Sequence, residues 1–265
     1  MPDEANRVFL TGEWRYLAML NYRVDLALLE PFVPRGTTLD HWQGATYVSL
    51  VGFLFRDTRV LGVPIPLHRD FEEVNLRIYV RREVGGEVRR GVTFIREIVP
   101  RPAIAAVARL AYNEPYIALP MRHTIAAQAN LDAAPRTLRY EWRQRAGWSA
   151  LSVEASGVAT PLVPESEAEF ITEHFWGYTR QRDGGTVEYH VTHPRWRTWT
   201  VDAAAAHGDL AELYGAPLGD VLRRPPDSAF LAEGSAIAVY APERLSLQTG
   251  RHVRRTMDGP ELTAD

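Results

Sequence analysis

The chain has 265 residues, 46% of them apolar and 24% charged, enough to bury a sizeable core in one domain. Its formal charge of -3 removes the whole-molecule basic field that non-specific nucleic-acid binding relies on, and no apolar run approaches the roughly 18 residues of a membrane span. It contains no cysteine and, since all 30 basic residues are arginine, no lysine; this excludes disulfides, thiolate catalysis, Schiff-base catalysis and the standard phosphate-loop nucleotide site.

The opening residues, MPDEANRVFL, have neither the basic nor the apolar stretch that directs secretion, so a cytoplasmic location is expected. Leu26 to Phe32 reads as one or two helical turns, stopped by Pro34 and Gly36. Ala45 to Arg56, ATYVSLVGFLFR, is apolar on both faces for much of its length and reads as a central strand. Glu73 to Arg82 alternates cleanly, with Glu73, Asn75, Arg77 and Tyr79 on one face and Val74, Leu76, Ile78 and Val80 on the other. A Gly85-Gly86 turn joins it to a return strand, Glu87 to Val99. Pro102 to Tyr112 has a proline suited to a helix start and alanine-rich helical spacing. Arg122 to Gln128, Thr137 to Arg145 and Trp148 to Ser156 read as further strands, the last two joined at Ala146-Gly147. Ser166 to Phe175 is helix-like and leads into a hairpin turning at Gly184-Gly185. A short helix near Asp209 to Tyr214 and a late strand at Ser235 to Tyr240 follow. The many short alternating segments predict a mainly β, antiparallel architecture in a single domain over 1–265, with 251–265 as a frayed tail. No fixed-period repeat is present.

The usual chemical motifs are missing: there is no G-x-G-x-x-G, H-E-x-x-H or G-x-S-x-G. What stands out is the face of Glu73, Asn75 and Arg77, which spaces an acid, an amide and a guanidinium about 7 Å apart along one strand. Arginine grips a carboxylate in a bidentate fork, and a carboxyl group in a dry pocket holds its proton to higher pH and can then relay it. The same pattern also describes the solvated outer face of a half-buried strand, and spacing alone does not choose between the two. Glu73 and Arg77 are therefore candidate catalytic residues, and Asn75, Tyr79, Tyr116 and His123 candidate ligand contacts. His190 and His193 lie three apart in an extended strand and face opposite sides, so no metal site is expected, and no cofactor either. Trp196 and Trp199 read as packing residues, and Arg81, Arg82, Arg89 and Arg90 as a solvated hairpin tip.

A longer pattern runs from Trp14 through LLEPFVPRGTTLDHWQGATYVSLVGFLF, FEEVNLRIYVRRE, GVTFIREIVP and ARLAYNEPYIALPM to FITEHFWGYTR and HVTHPRW. This order resembles the YqjF-like family of uncharacterised bacterial proteins, over roughly Trp14 to Trp199, with E-x-N-x-R-x-Y-V and N-E-P-Y as its most specific pieces. The family is grouped with acetoacetate decarboxylase, so the resemblance implies a closed, cone-like antiparallel β-barrel with a central cavity. It also implies that Glu73, Asn75 and Arg77 face that cavity. Acetoacetate decarboxylases use a Schiff-base lysine that this chain lacks. The expectation is thus a barrel that binds a small carboxylic or keto acid without imine chemistry, with no nucleic-acid or membrane partner and with room for a homodimer. Whether it also catalyses a lyase or isomerase step is open, as is the alternative of a filled barrel serving as an interaction protein.

Overall fold

The computed structural model describes residues 7–126 and 137–245. Its strands are β1 (Val8–Val24), β2 (Thr38–Leu39), β3 (Thr46–Val60), β4 (Val63–Pro64), β5 (Phe71–Val84), β6 (Glu87–Val99), β7 (Tyr116–Ala118) and β8 (Met121–Ala126). They continue as β9 (Thr137–Gln144), β10 (Gly147–Pro161), β11 (Trp176–Arg180), β12 (Thr186–Thr192), β13 (Arg197–His207), β14 (Ser228–Tyr240) and β15 (Glu243–Arg244). Among the described residues five short α-helices interrupt them, α1 (Leu26–Leu29), α2 (Pro102–Ala111), α3 (Glu167–Thr172), α4 (Ala211–Tyr214) and α5 (Ala216–Leu222), and a 3-10 turn at Glu30–Phe32 follows α1.

Most elements fall where the sequence predicts them. The hairpin of β5 and β6 turns at Gly85 and Gly86, whose φ angles of 58° and 87° only glycine adopts freely. Proline opens α2, and the Ser166 side chain caps α3 by accepting from the Glu169 amide. Three elements depart from expectation. The 17-residue β1 carries no clean alternation, because register shifts on both sides break its period. The alanine run of β13 has poor strand propensity and is held by pairing with β10. A helix, α5, follows α4 where none is expected. The tail at 251–265 and the end of the strand read to Gln128 lie outside the described residues.

The hydrogen-bonded path β12–β11–β6–β5–β3–β1–β14 returns to β12 through Val191 with Val239 and Thr192 with Ala238, so seven strands form a ring. All its pairs are antiparallel except β11 with β6, which pair in parallel at Trp176–Gly91 and Gly177–Val92. Beyond β14 the sheet continues through β13, β10, β9 and β8. This extension covers the outer face of the ring: Leu20, Leu50, Leu76 and Ile78 pack in one buried cluster with Tyr140, Trp142, Leu151 and Val153. The inner face has its own apolar set, including Leu17, Met19, Val51, Phe53, Phe71, Phe170 and Trp196. Strand β3 is apolar on both faces because both are covered, as its composition predicts.

The hairpin tip, residues 85–88, is exposed as expected, but three of the arginines that flank it are held in ion pairs rather than free in solvent. Arg82 and Arg89 both pair with the buried Glu188, at 2.9 and 3.0 Å, and Arg90 pairs with the buried Asp40 at 2.7 Å. Strand β12, beyond β11 in the sheet, and the segment just after β2 bring carboxylates to these arginines, which local sequence does not reveal.

Candidate functional site

Inside the ring lies a cavity of about 190 Å³. The alternation of β5 turns Val74, Leu76, Ile78 and Val80 outward into the covered layer and Glu73, Asn75 and Arg77 inward to line the cavity. Glu73 is 2% exposed. Its carboxylate accepts from Asn75 Nδ2 at 3.0 Å and from the Tyr116 hydroxyl at 2.9 Å.

Register explains how more acids join it. Asn75 stands opposite Glu97 on β6, and Glu97 stands beside Tyr116 on β7. Between Leu76–Arg96 and Arg77–Phe94 the pairing slips by one residue, leaving Ile95 as a bulge. Phe94 and Glu97 are three apart and would face opposite sides of a regular strand, yet the bulge lets both line the cavity. Glu114, just before β7, accepts from the Thr179 hydroxyl at 2.6 Å and the Tyr189 hydroxyl at 2.8 Å. Tyr189 fits because Gly177 has no side chain: a Cβ there would occupy the tyrosine ring.

Three carboxyl groups are thus enclosed together, and the environment raises the proton affinity of each. Burial pushes Glu73 up to about 7, against the hydrogen bonds from Asn75 and Tyr116. Burial likewise pushes Glu114 up to about 7, opposed by Thr179 and Tyr189. Glu97 is raised well above the carboxylate range by burial and then by the like charges of Glu114 and Glu73. One oxygen each of Glu97 and Glu114 is buried with no hydrogen-bond partner.

Arg77 brings the opposite charge. Its Nη2 donates to the Ile171 carbonyl at 3.2 Å, and the guanidinium lies 5.5 Å from the Tyr79 ring centre. Its Nε is buried without a partner, and no carboxylate among the described residues is within ion-pair distance.

Two predicted contacts are not brought to the cavity. Tyr79 faces inward but its hydroxyl is tied up: Ser49 donates to Asn21 Oδ1 at 2.7 Å, leaving Tyr79 to donate to Ser49 Oγ at 2.7 Å. His123 lies on β8 in the outer layer, 37% exposed, with Nδ1 2.6 Å from Glu72 Oε1. The two histidines of β12 and its exit face different surroundings: His193 lines the cavity and stacks on Trp196 at 4.1 Å, whereas His190 lies against Trp176 and Tyr240. Trp196 is buried as predicted, with Nε1 donating to Ser235 Oγ at 2.9 Å. Sequence reasoning misses Glu97, Glu114 and His174. Glu97 and Glu114 sit within the segments that carry the family resemblance, but no periodicity points them inward.

Residues 11–236 match DUF2071, a family described as an uncharacterized conserved protein. The chain belongs to the DUF2071 family. This DUF2071 chain is 24% identical over 208 residues to the uncharacterized protein YqjF of Bacillus subtilis, covering 77% of this chain and 81% of YqjF. Among solved structures it is similar to acetoacetate decarboxylase from Legionella pneumophila, with a TM-score of 0.63 at 14% identity over 93% of this chain and 92% of that one. It is also similar to the enduracididine biosynthesis enzyme MppR with HEPES bound, with a TM-score of 0.65 at 12% identity, covering 92% and 90% of the two chains. The DUF2071 chain therefore has an acetoacetate decarboxylase-like fold, mainly β with few helices.

Proposed function

We propose that the cavity binds a small carboxylic or keto acid, with the ligand carboxylate on Arg77 and its far end against the protonated acids around Glu73, and that it does so without Schiff-base chemistry. The observation that carries this reading is the unpaired guanidinium. Arginine stays charged at any working pH, so a partly enclosed Arg77 with a buried, partnerless Nε has an unmet need for an anion. The three glutamates compete only weakly for it, because burial raises their proton affinity: Glu97 stays protonated at neutral pH, and Glu73 and Glu114, at about 7, are still partly protonated there. In that state Glu73 can donate to a carbonyl oxygen and take the proton back. About 190 Å³ is on the order of six water volumes, room for a small acid, and it argues against a filled interior. In this reading the ring of strands is a closed, cone-like barrel with the site on its axis. MppR, of similar fold, is known in complex with pyruvate.

Thermal shift and calorimetry with pyruvate, 2-oxobutyrate, acetoacetate and acetate test the proposal. Ligand at about 100 times its Kd stabilises the native state by about 2.7 kcal/mol. The expected result is a rise in Tm for the native chain that disappears in Arg77→Met, with circular dichroism unchanged. A flat response to all four acids, or an equal rise in the variant, refutes it.

A further inference from the structure

His174, in the segment between α3 and β11, carries a second element of the cavity. Its side chain is 2% exposed, and its ring is packed 4.8 Å from Tyr79 and 5.2 Å from Phe170. Nε2 lies 3.4 Å from Asp40 Oδ2, long for a hydrogen bond but facing the carboxylate. Asp40 is itself fixed, by Arg90 Nε at 2.7 Å and by the His41 amide at 3.0 Å, while its own amide donates to the Tyr79 carbonyl at 2.9 Å. Neither ring nitrogen has a hydrogen-bond partner; Nε2 has the Asp40 carboxylate within ion-pair distance, whereas Nδ1 is buried with no partner of either kind among the described residues, on a residue that lines the cavity. A buried acceptor left empty costs on the order of 1–3 kcal/mol, so this nitrogen points to a ligand rather than to packing.

We propose that His174, oriented by Asp40, is a general base that removes the proton from the carbon next to the carbonyl of a bound keto acid. This rests on the keto-acid reading above and adds to it a reaction class, enolisation. The Asp40 carboxylate selects the tautomer with the proton on Nε2, which leaves the Nδ1 lone pair free. Nδ1 takes the proton from the α-carbon. The C–H pair becomes the enol double bond, the carbonyl π pair moves to oxygen, and that oxygen takes the proton held by Glu73. Both transfers reverse to regenerate the ketone, so no oxidant or co-reactant is needed, and in D2O the net change is exchange of α-hydrogen for deuterium.

The groups acting on the ring set its resting protonation state. Burial lowers His174 to about 4, opposed by Asp40 and assisted by Arg90 and Arg77, so the imidazole is neutral at pH 7. Burial works against ionisation of Asp40, but the bonds from His174 and Arg90 outweigh it and bring the carboxyl to about 2. The imidazolium formed in the reaction then faces a permanent negative charge.

The test uses the full chain with pyruvate in D2O, following loss of the methyl proton signal by NMR beside calorimetric binding. The native chain is expected to speed exchange above the buffer rate, and His174→Gln to lower it by at least about 100-fold with pyruvate still bound. Asp40 is a positioning residue, so Asp40→Asn should lower exchange less and also redistribute the His174 tautomers. Nitrogen-15 correlation spectra of the native chain read those tautomers without any variant, and the proton is expected on Nε2. Exchange unaffected in His174→Gln, a native Nδ1–H tautomer, or pyruvate bound without exchange each overturn the base assignment while leaving the binding site intact. Failure of pyruvate, 2-oxobutyrate and acetoacetate to bind at all removes both.

Discussion

The two faces of β5 invert the usual arrangement of a half-buried strand. Its outward side chains, Val74, Leu76, Ile78 and Val80, are fully buried beneath the β8–β10 extension, while its inward ones are Glu73, Asn75 and Arg77 around a cavity. A single sheet would put the charged face in water. The second layer removes that option and holds the charged face around an internal space. The outer face holds the fold together and the inner face works against it, because buried carboxyls and an unpaired guanidinium are costly to enclose.

Variants on each face sharpen this contrast. On the outer face, Leu76→Ala empties a closed layer and is expected to lower stability by about 2–5 kcal/mol, read as a drop in the urea midpoint at unchanged slope. Gly177→Ala pushes a methyl into the Tyr189 ring, with an expected loss of about 1–3 kcal/mol and a further rise in the Glu114 pKa as its hydroxyl donor is displaced. Carboxylate infrared bands followed against pH report that rise.

On the inner face the sign reverses. Glu97→Gln removes an acid that burial and its neighbours hold protonated, and the variant should be more stable than the native chain at pH 8, by about 1–2 kcal/mol. The pH dependence has a definite direction. Glu73 and Glu114 titrate near 7 when folded and near 4.5 when unfolded, so the folded chain holds more protons between those values. Their contribution is fully present below about pH 4.5 and is lost as pH rises through about 7. His174 acts the other way: held neutral to about 4, it costs stability as pH falls below 6.5. Denaturation from pH 6.5 to 8 isolates the glutamates, where stability should fall throughout and fall less steeply in Glu97→Gln; a rise over that range contradicts the raised proton affinity of the cluster. Smallest of all is His123→Ala, whose pairing with Glu72 is largely exposed; a change of under about 1 kcal/mol and unaltered acid binding are expected.

How much of the site can be read in advance depends on the backbone. Glu73, Asn75 and Arg77 were legible because a regular strand enforces a period of two. Glu97 was not, because the bulge at Ile95 resets that period and leaves no trace in the side chains around it. Glu114 and His174 sit in irregular segments, where no period assigns a side chain to a face. Nothing in the residues around His123 assigns it to a face; the place of β8 in the outer layer alone keeps it from the cavity.

Composition and alternation by themselves determined that the chain is mainly β, that one side of β5 is charged and the other apolar, and that lysine-based imine catalysis is excluded. The tertiary structure alone decided which side of that strand is enclosed, which acids meet there and which guanidinium stays unpaired. The physical reason is range. Side-chain alternation is a local property of one strand, whereas the dryness of a cavity and the proton affinity of the groups within it are set by strands far apart in the chain that close around them.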